Sequence, residues 1–369
     1  MRPITKIVLL GLALRILFIL ISLPVNNYDL LAYENVGRAV INHLNIYPFP
    51  AILYHPYLPV MLYIEALTKL FGVWQPILLK LVFSLFDAGN IYLVYKLTRR
   101  PAKLRPGKTG INGKNDQSIV NAFLYAVNPI SILITAYHGQ FDSLPLFLLL
   151  ATIFWKNPWL LSLAVAVKTW PVFFLLPLIR RWHDKKNVLL LAFFPALSLI
   201  LYALFFHIAP LIILRTIAGY RAVFGAFGIS RLYLLFGSSP PPIQIRAAII
   251  VFLSLFFTYS AHQKKSRLLI TEIFQLMLVF FILTPVFGIQ WFIWLIPFLL
   301  LCKPRGAIFF YAVTTLLLIT SYLQWSGVSV PFFIFFFGLL SWLALIRMFF
   351  YTLPISVRMK LPFTSNSTR

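Results

Sequence analysis

The stretch that decides the fold is IVLLGLALRILFILISLP, Ile7 to Pro24, followed one residue later by Asn26-Asn27-Tyr28-Asp29. The run carries a single charge, Arg15, and it is long enough to cross a hydrocarbon layer as a helix. Arg2 and Lys6 precede it, which sets the N-terminus on the cytoplasmic side. No small-residue cleavage site follows, so the segment reads as a retained first span and not a removed signal. Asp29 then stands just past the membrane, where a carboxylate is costly to keep near lipid and is a candidate for chemistry.

Outward from this run the same pattern repeats. The chain is 61% hydrophobic, 17% aromatic and 11% charged over 369 residues, more apolar surface than one soluble core of this length could hide. The apolar runs lack the two-residue alternation of outer-membrane strands, so the spans are helical. A net charge of +24 could point to nucleic acid, but Lys and Arg fall in short loops between apolar runs, not along one basic stripe. The charge is therefore read as topology, with no nucleic-acid partner. A single cysteine, Cys302, excludes an intrachain disulfide framework and a cysteine-based metal cluster.

The basic clusters are Arg2 and Lys6, Arg99 to Lys114, Lys156, Arg180 to Lys186, Lys264 to Arg267, Lys303 with Arg305, and Arg358 with Lys360. Placing all of them inside gives spans at Ile7 to Pro24, Pro76 to Thr98, Ser118 to Tyr137, Leu144 to Trp155, Asn187 to His207, Pro242 to Ala261, Leu268 to Pro285, Gln290 to Leu301, Ala307 to Gln324 and Pro331 to Tyr351. Pro158 to Ile179 is broken by Lys168-Thr169-Trp170-Pro171 and predicts a broken or re-entrant helix pair lining a cavity. The apolar stretch Tyr57 to Gly72 must lie along the outer surface, because a span there would put the Arg99 cluster outside. The expected fold is thus an all-α polytopic transmembrane helical bundle of about 10–12 spans. It is expected as one integral membrane domain: first span 1–24, outer loop with amphipathic surface helices 25–75, central spans 76–207, second outer loop 208–241, and C-terminal spans with a cytoplasmic tail 242–369. Both termini come out cytoplasmic. Short loops favour a prokaryotic plasma membrane over the endoplasmic reticulum.

Residues that break the positive-inside pattern gather at the outer face. They are Asn26-Asn27-Tyr28-Asp29 with Tyr33, Glu34 and Arg38; the turn Asn45-Ile46-Tyr47-Pro48; Tyr54-His55-Pro56-Tyr57; Tyr137-His138-Gly139-Gln140-Phe141-Asp142; Lys168; Arg215, Arg221 and Arg231; and Gln290 on a late outer turn. Acids and cations at one membrane surface suit a transfer reaction with an anionic leaving group: a carboxylate takes the proton of an attacking hydroxyl, and fixed cations stabilise a departing phosphate. A phosphate leaves without a general acid, unlike the two-carboxylate arrangement of glycoside hydrolases.

The order of features resembles the GT-C superfamily of polytopic glycosyltransferases that use polyprenyl-phosphate sugars. Tyr28-Asp29-x-x-x-Tyr33, Asn45-x-Tyr47-Pro48 and the Tyr-x-Pro before a surface helix look like its first outer loop. His138-Gly139-Gln140-Phe141-Asp142-Ser143 is similar to the Gly-Gln-x-Asp signature of prokaryotic members, including mannosyltransferases; Lys168-Thr169-Trp170-Pro171 and Thr284-Pro285 through Trp294 to Pro297 look like its later elements. The resemblance implies a polyprenyl-phosphate sugar donor, mannose by default, and a catalytic acid in the first outer loop, here matched by Asp29. Many members pair two acids there, whereas the next acid here, Glu34, is five residues on.

The resulting expectation is an inverting glycosyltransferase with Asp29 as general base. Lys168 and one or more of Arg215, Arg221 and Arg231 would hold the donor phosphate, and Tyr33, Glu34, Tyr47, His55, His138, Gln140, Asp142 and Gln290 would contact sugar or acceptor. The partners are the lipid-linked donor, a glycan, lipid or protein acceptor, and membrane lipids. No cofactor is required; a divalent metal bridged by His138 and Asp142 is the lesser alternative, since two ligands do not complete a site. Each residue also has a plainer role. Asp29 could cap a helix starting near Leu30, Glu34 and Arg38 are spaced for an ion pair, Lys168 could snorkel, and Arg15 could pair with Asp87. The competing function is a flippase or transporter of lipid-linked sugars.

Overall fold

A computed structural model of the chain describes residues 1–23, 28–47, 55–99, 111–182, 187–219, 223–263 and 268–353, with no side-chain description for 111–115. Asn26, Asn27, Pro48, Tyr54, Arg221 and most of the basic loops lie outside the described residues. The described chain is an all-α, multi-pass bundle that divides into two compact units, 1–220 with 290–301, and 221–289 with 302–369.

The first unit opens with α1 (Pro3–Ile21), then α2 (Tyr28–Ile41), α3 (Pro59–Lys69) and α4 (Gln75–Arg99). Next come α5 (Ile111–Ala126), α6 (Pro129–Ile132) with a π turn over Leu133–His138, α7 (Ser143–Trp155) and α8 (Pro158–Val167). A 3-10 turn (Trp170–Phe174) leads to α9 (Leu175–Ile179), followed by α10 (Asn187–Leu190), α11 (Phe193–Phe206) and α12 (Pro210–Gly219). α1 buries only the stripe Ile4, Ile7, Gly11, Arg15 and Ile19, while Leu9, Leu10, Leu17 and Leu20 stay exposed. A helix apolar on both faces belongs in lipid.

Arg15 ties this bundle together. Its guanidinium donates to Asp87 (2.8 Å), to the Gly11 and Ala126 carbonyls (2.8 and 3.1 Å) and to Ser131 Oγ (2.6 Å), and Tyr125 donates to the same carboxylate at 2.7 Å. Both charges of the pair are fully buried, so each must be satisfied, and the expected Arg15–Asp87 ion pair does this across four helices. Asn128 and Pro129 break the path from α5 to α6. Asn128 Oδ1 caps α6 by accepting from the Ile130 and Ser131 N–H groups, and the two helices bend by 41°.

The second unit holds β1 (Val223–Phe224), α13 (Gly228–Phe236), α14 (Pro242–His262), α15 (Leu269–Leu283) and β2 (Val286–Phe287). It then continues, after α16 (Ile296–Cys302), with α17 (Ala307–Trp325) and α18 (Pro331–Thr352). β1 and β2 pair antiparallel, Val223 opposite Phe287.

Among the described residues, six helical segments are long and apolar enough to span a membrane: Pro3–Ile21, Gly72–Arg99, Asn187–Phe206, Pro242–His262, Ala307–Trp325 and Pro331–Thr352. Counting the bent pair Asp116–Ala126 with Pro129–His138 makes seven. This is fewer than the ten or more expected. α7, for example, has 13 residues, which rise about 20 Å against a layer of about 30 Å. The runs expected at Leu144 to Trp155, Leu268 to Pro285 and Gln290 to Leu301 do form helices close to those bounds, but with 13 residues, 15 residues and a 3-10 turn before the 7 residues of α16 they are short for a straight crossing. The broken pair at 158–179 does form: α8 ends at Lys168 in extended conformation and a 3-10 turn follows.

Candidate functional site

The site in the first unit is built on Gly139. The π turn after α6 ends there with φ of 84°, a left-handed conformation that favours glycine. An added Cβ would also lie 3.0 Å from Leu30 Cδ2 and 3.0 Å from Lys80 Cε. His138 and Gln140 flank this turn and both reach Asp29. His138 Nε2 lies 3.0 Å from Asp29 Oδ2, and the Gln140 amide donates to the same oxygen. An ionised carboxylate only accepts, so His138 Nε2 carries the hydrogen. The Tyr33 hydroxyl donates to Gln140 Oε1 at 3.2 Å, which turns the amide nitrogen toward Asp29.

Asp29 sits in the first turn of α2, which begins at Tyr28, earlier than the start near Leu30 expected for a cap. The helix dipole there favours negative charge. Burial pushes the Asp29 carboxyl up, but the hydrogen bond and charge of His138, the charge of Lys168 and the Gln140 bond outweigh it and hold the group below its usual range. Its side chain is 37% exposed, whereas that of His138 is 3% exposed. Burial first, then the Asp29 charge, raises Tyr33 well above the usual tyrosine range, so its hydroxyl stays a neutral donor.

A second charged pair lies beside the first. Lys168 Nζ is 2.7 Å from Asp142 Oδ2, and both side chains are buried. Trp294 Nε1 donates to the other Asp142 oxygen at 2.7 Å, and Trp294 stacks on Trp170 at 4.2 Å. The Lys168 ammonium also sits over the Phe141 and Tyr57 rings, at 4.5 and 5.2 Å. Lys168 therefore has the anionic partner expected of a lysine within an apolar segment, and that partner is a side chain of this chain. His138 and Asp142 hold different partners; among the described residues no group of three or more His, Cys, Asp and Glu side chains is placed to hold a metal.

The remaining sequence candidates spread out. Glu34 pairs with Arg38 (2.9 Å) and Lys69 (2.6 Å). Tyr47 is buried, donating to the Tyr57 carbonyl at 2.7 Å while its own carbonyl accepts from Thr216. His55 is buried 3.4 Å from Glu65, whose carboxyl burial pushes up against a partial offset from His55. Arg215 is exposed on α12 and Gln290 is half-buried. Arg231 belongs to the second unit, donates to the Gly225 carbonyl and faces the Phe335 ring. Arg221 lies outside the described residues.

Two residues escape the sequence reading, Glu65 and Lys80, and a third, Trp294, is named there only within a late motif. The rule that an ionisable residue in an apolar run has a purpose picks out Lys80 and Glu65, whereas only the folded chain brings Trp294 to Asp142. No family model matches this chain, and no curated protein matches it.

Proposed function

We propose that this protein is a membrane glycosyltransferase that moves a sugar, mannose by default, from a polyprenyl-phosphate carrier to an acceptor hydroxyl of a glycan, lipid or protein at the outer face. The observation that carries the reading is the Asp29 carboxylate, partly exposed and oriented from its buried side by His138 and Gln140. The acceptor oxygen attacks the anomeric carbon, Asp29 takes its proton, and the carbon–oxygen bond to phosphate breaks with its electron pair leaving on polyprenyl phosphate. Attack opposite the leaving group inverts the anomeric centre. A carboxylate held below its usual range is a weak base toward a resting hydroxyl; it takes the proton as the new bond forms and the attacking oxygen turns acidic. Lys168, locked to Asp142, tunes Asp29 through its charge.

In this reading α2 and α3 lie along the outer surface of a prokaryotic plasma membrane, and both termini are cytoplasmic. A flippase has less support. It needs polar groups continuing toward the cytoplasm, and one ionisable pair inside the spans, Arg15 with Asp87, is closed on itself by Ser131 and Tyr125. The purified protein in proteoliposomes, given a sugar-labelled polyprenyl-phosphate donor and a membrane extract of its host as acceptor, should yield labelled acceptor and free polyprenyl phosphate. Labelled donor recovered intact from the opposite leaflet, with no new glycoside, would refute the transferase reading.

A further inference from the structure

The chain has only eight carboxylate side chains, and among the described residues the ion pairs of five of them leave the buried Lys80 ammonium without a carboxylate partner. Asp29 is held by His138, Glu34 by Arg38 and Lys69, Glu65 by His55, Asp87 by Arg15 and Asp142 by Lys168. Lys80, near the start of α4, is 3% exposed and takes part in none of these pairs. Its ammonium donates to Ser22 Oγ at 2.7 Å and to the Tyr137 carbonyl at 2.9 Å. Both acceptors are neutral. An ammonium has three hydrogens, and a charge buried in an apolar setting without a counter-ion is costly because the water stripped from it is not fully replaced.

The position of Lys80 gives that charge a use. Its stem runs directly beneath Gly139, and its ammonium is bonded to the residue before His138, so it is packed against the turn that presents both partners of Asp29. Lys168, the cation expected to grip an anion, is already neutralised by Asp142 at 2.7 Å. In a displacement with inversion, the leaving oxygen departs on the far side of the anomeric carbon from the attacking one. The group that holds the leaving phosphate must therefore stand near the base without touching it. We propose that Lys80 holds a phosphate anion entering from the outer face. Resting on the transferase reading, that anion is the phosphate of the carrier.

The test measures binding without any transfer. Protein in phosphatidylcholine nanodiscs is titrated with a polyprenyl monophosphate, with inorganic phosphate and phosphatidylglycerol as separate arms. Lys80→Met should weaken polyprenyl phosphate binding by at least about tenfold, the effect of one charge-assisted hydrogen bond, and Lys80→Arg should restore it to within about threefold. Loss confined to the inorganic phosphate or phosphatidylglycerol arm would keep the anion site and remove the carrier as its ligand. Equal affinities of wild type and Lys80→Met in every arm, or no binding to wild type in any arm, would overturn the proposal. Should Lys80→Met fail to fold, amine-reactive labelling of the wild type followed by peptide mass spectrometry serves instead: polyprenyl phosphate should protect Lys80, and unchanged labelling refutes the site. Because no sugar moves in either experiment, failure here is separate from failure of Asp29 as the base.

Discussion

Removing the Asp142 charge tests whether the pair beside Asp29 is as tightly coupled as its geometry implies. In Asp142→Asn the new amide oxygen can still accept from Trp294 Nε1, so the change isolates the charge seen by Lys168. At 2.7 Å and an effective dielectric near 20, the gross attraction is about 6 kcal/mol, most of it cancelled by the cost of burying both groups. Breaking such a pair from one side leaves Lys168 buried with the Phe141 and Tyr57 rings and the Asp29 charge as partial compensation, and costs about 3–5 kcal/mol. That is roughly two to four decades in the folding equilibrium. Lys168→Met should cost a similar amount for the mirror reason, an orphaned carboxylate. The double variant removes both charges and should recover about 2 kcal/mol or more of the summed loss. Denaturation in mixed micelles, followed by tryptophan fluorescence because Trp170 and Trp294 stack beside the pair, measures all four corners of the cycle. Additivity within about 0.5 kcal/mol would show that the two groups are not coupled, and the reasoning would fail.

Gly139→Ala should destabilise the protein by about 2 kcal/mol, from the left-handed backbone and the approach to Leu30 and Lys80, and should depress transfer; Gly219→Ala, with open space around it, should do neither, and thermal unfolding separates them. Glu65→Gln should stabilise the fold increasingly as pH rises. Burial lifts the Glu65 carboxyl above its usual 4.5, so the folded state holds the proton longer than the unfolded chain, and wild-type stability falls as pH climbs from about there through the folded value. A melting-temperature difference that does not change between pH 4 and pH 8 would contradict this.

Much of the site can be read from residue order because its parts are local. His138-Gly139-Gln140 places two side chains on either side of one glycine turn, and Asp29 opens a helix directly after the first span. The Glu34–Arg38 and Arg15–Asp87 pairs follow from helix spacing and from the need of a buried charge for a partner. What stays hidden is long-range choice. Nothing in Lys168-Thr169-Trp170-Pro171 says that the lysine will be neutralised by Asp142 or that Trp294 will brace that carboxylate. The span count misleads for a different reason: the run Leu144 to Trp155 forms the helix its hydropathy announces, but at 13 residues that helix is short for a straight crossing of the layer.

The central claim is that the Asp29 carboxylate accepts the proton of the attacking hydroxyl. Asp29→Asn keeps size and hydrogen bonding while removing the base, so the most direct measurement is its single-turnover transfer rate beside its affinity for polyprenyl monophosphate. The account predicts a rate lower by about a hundredfold or more, with carrier affinity and melting temperature close to wild type. A variant that transfers sugar at the wild-type rate would contradict it.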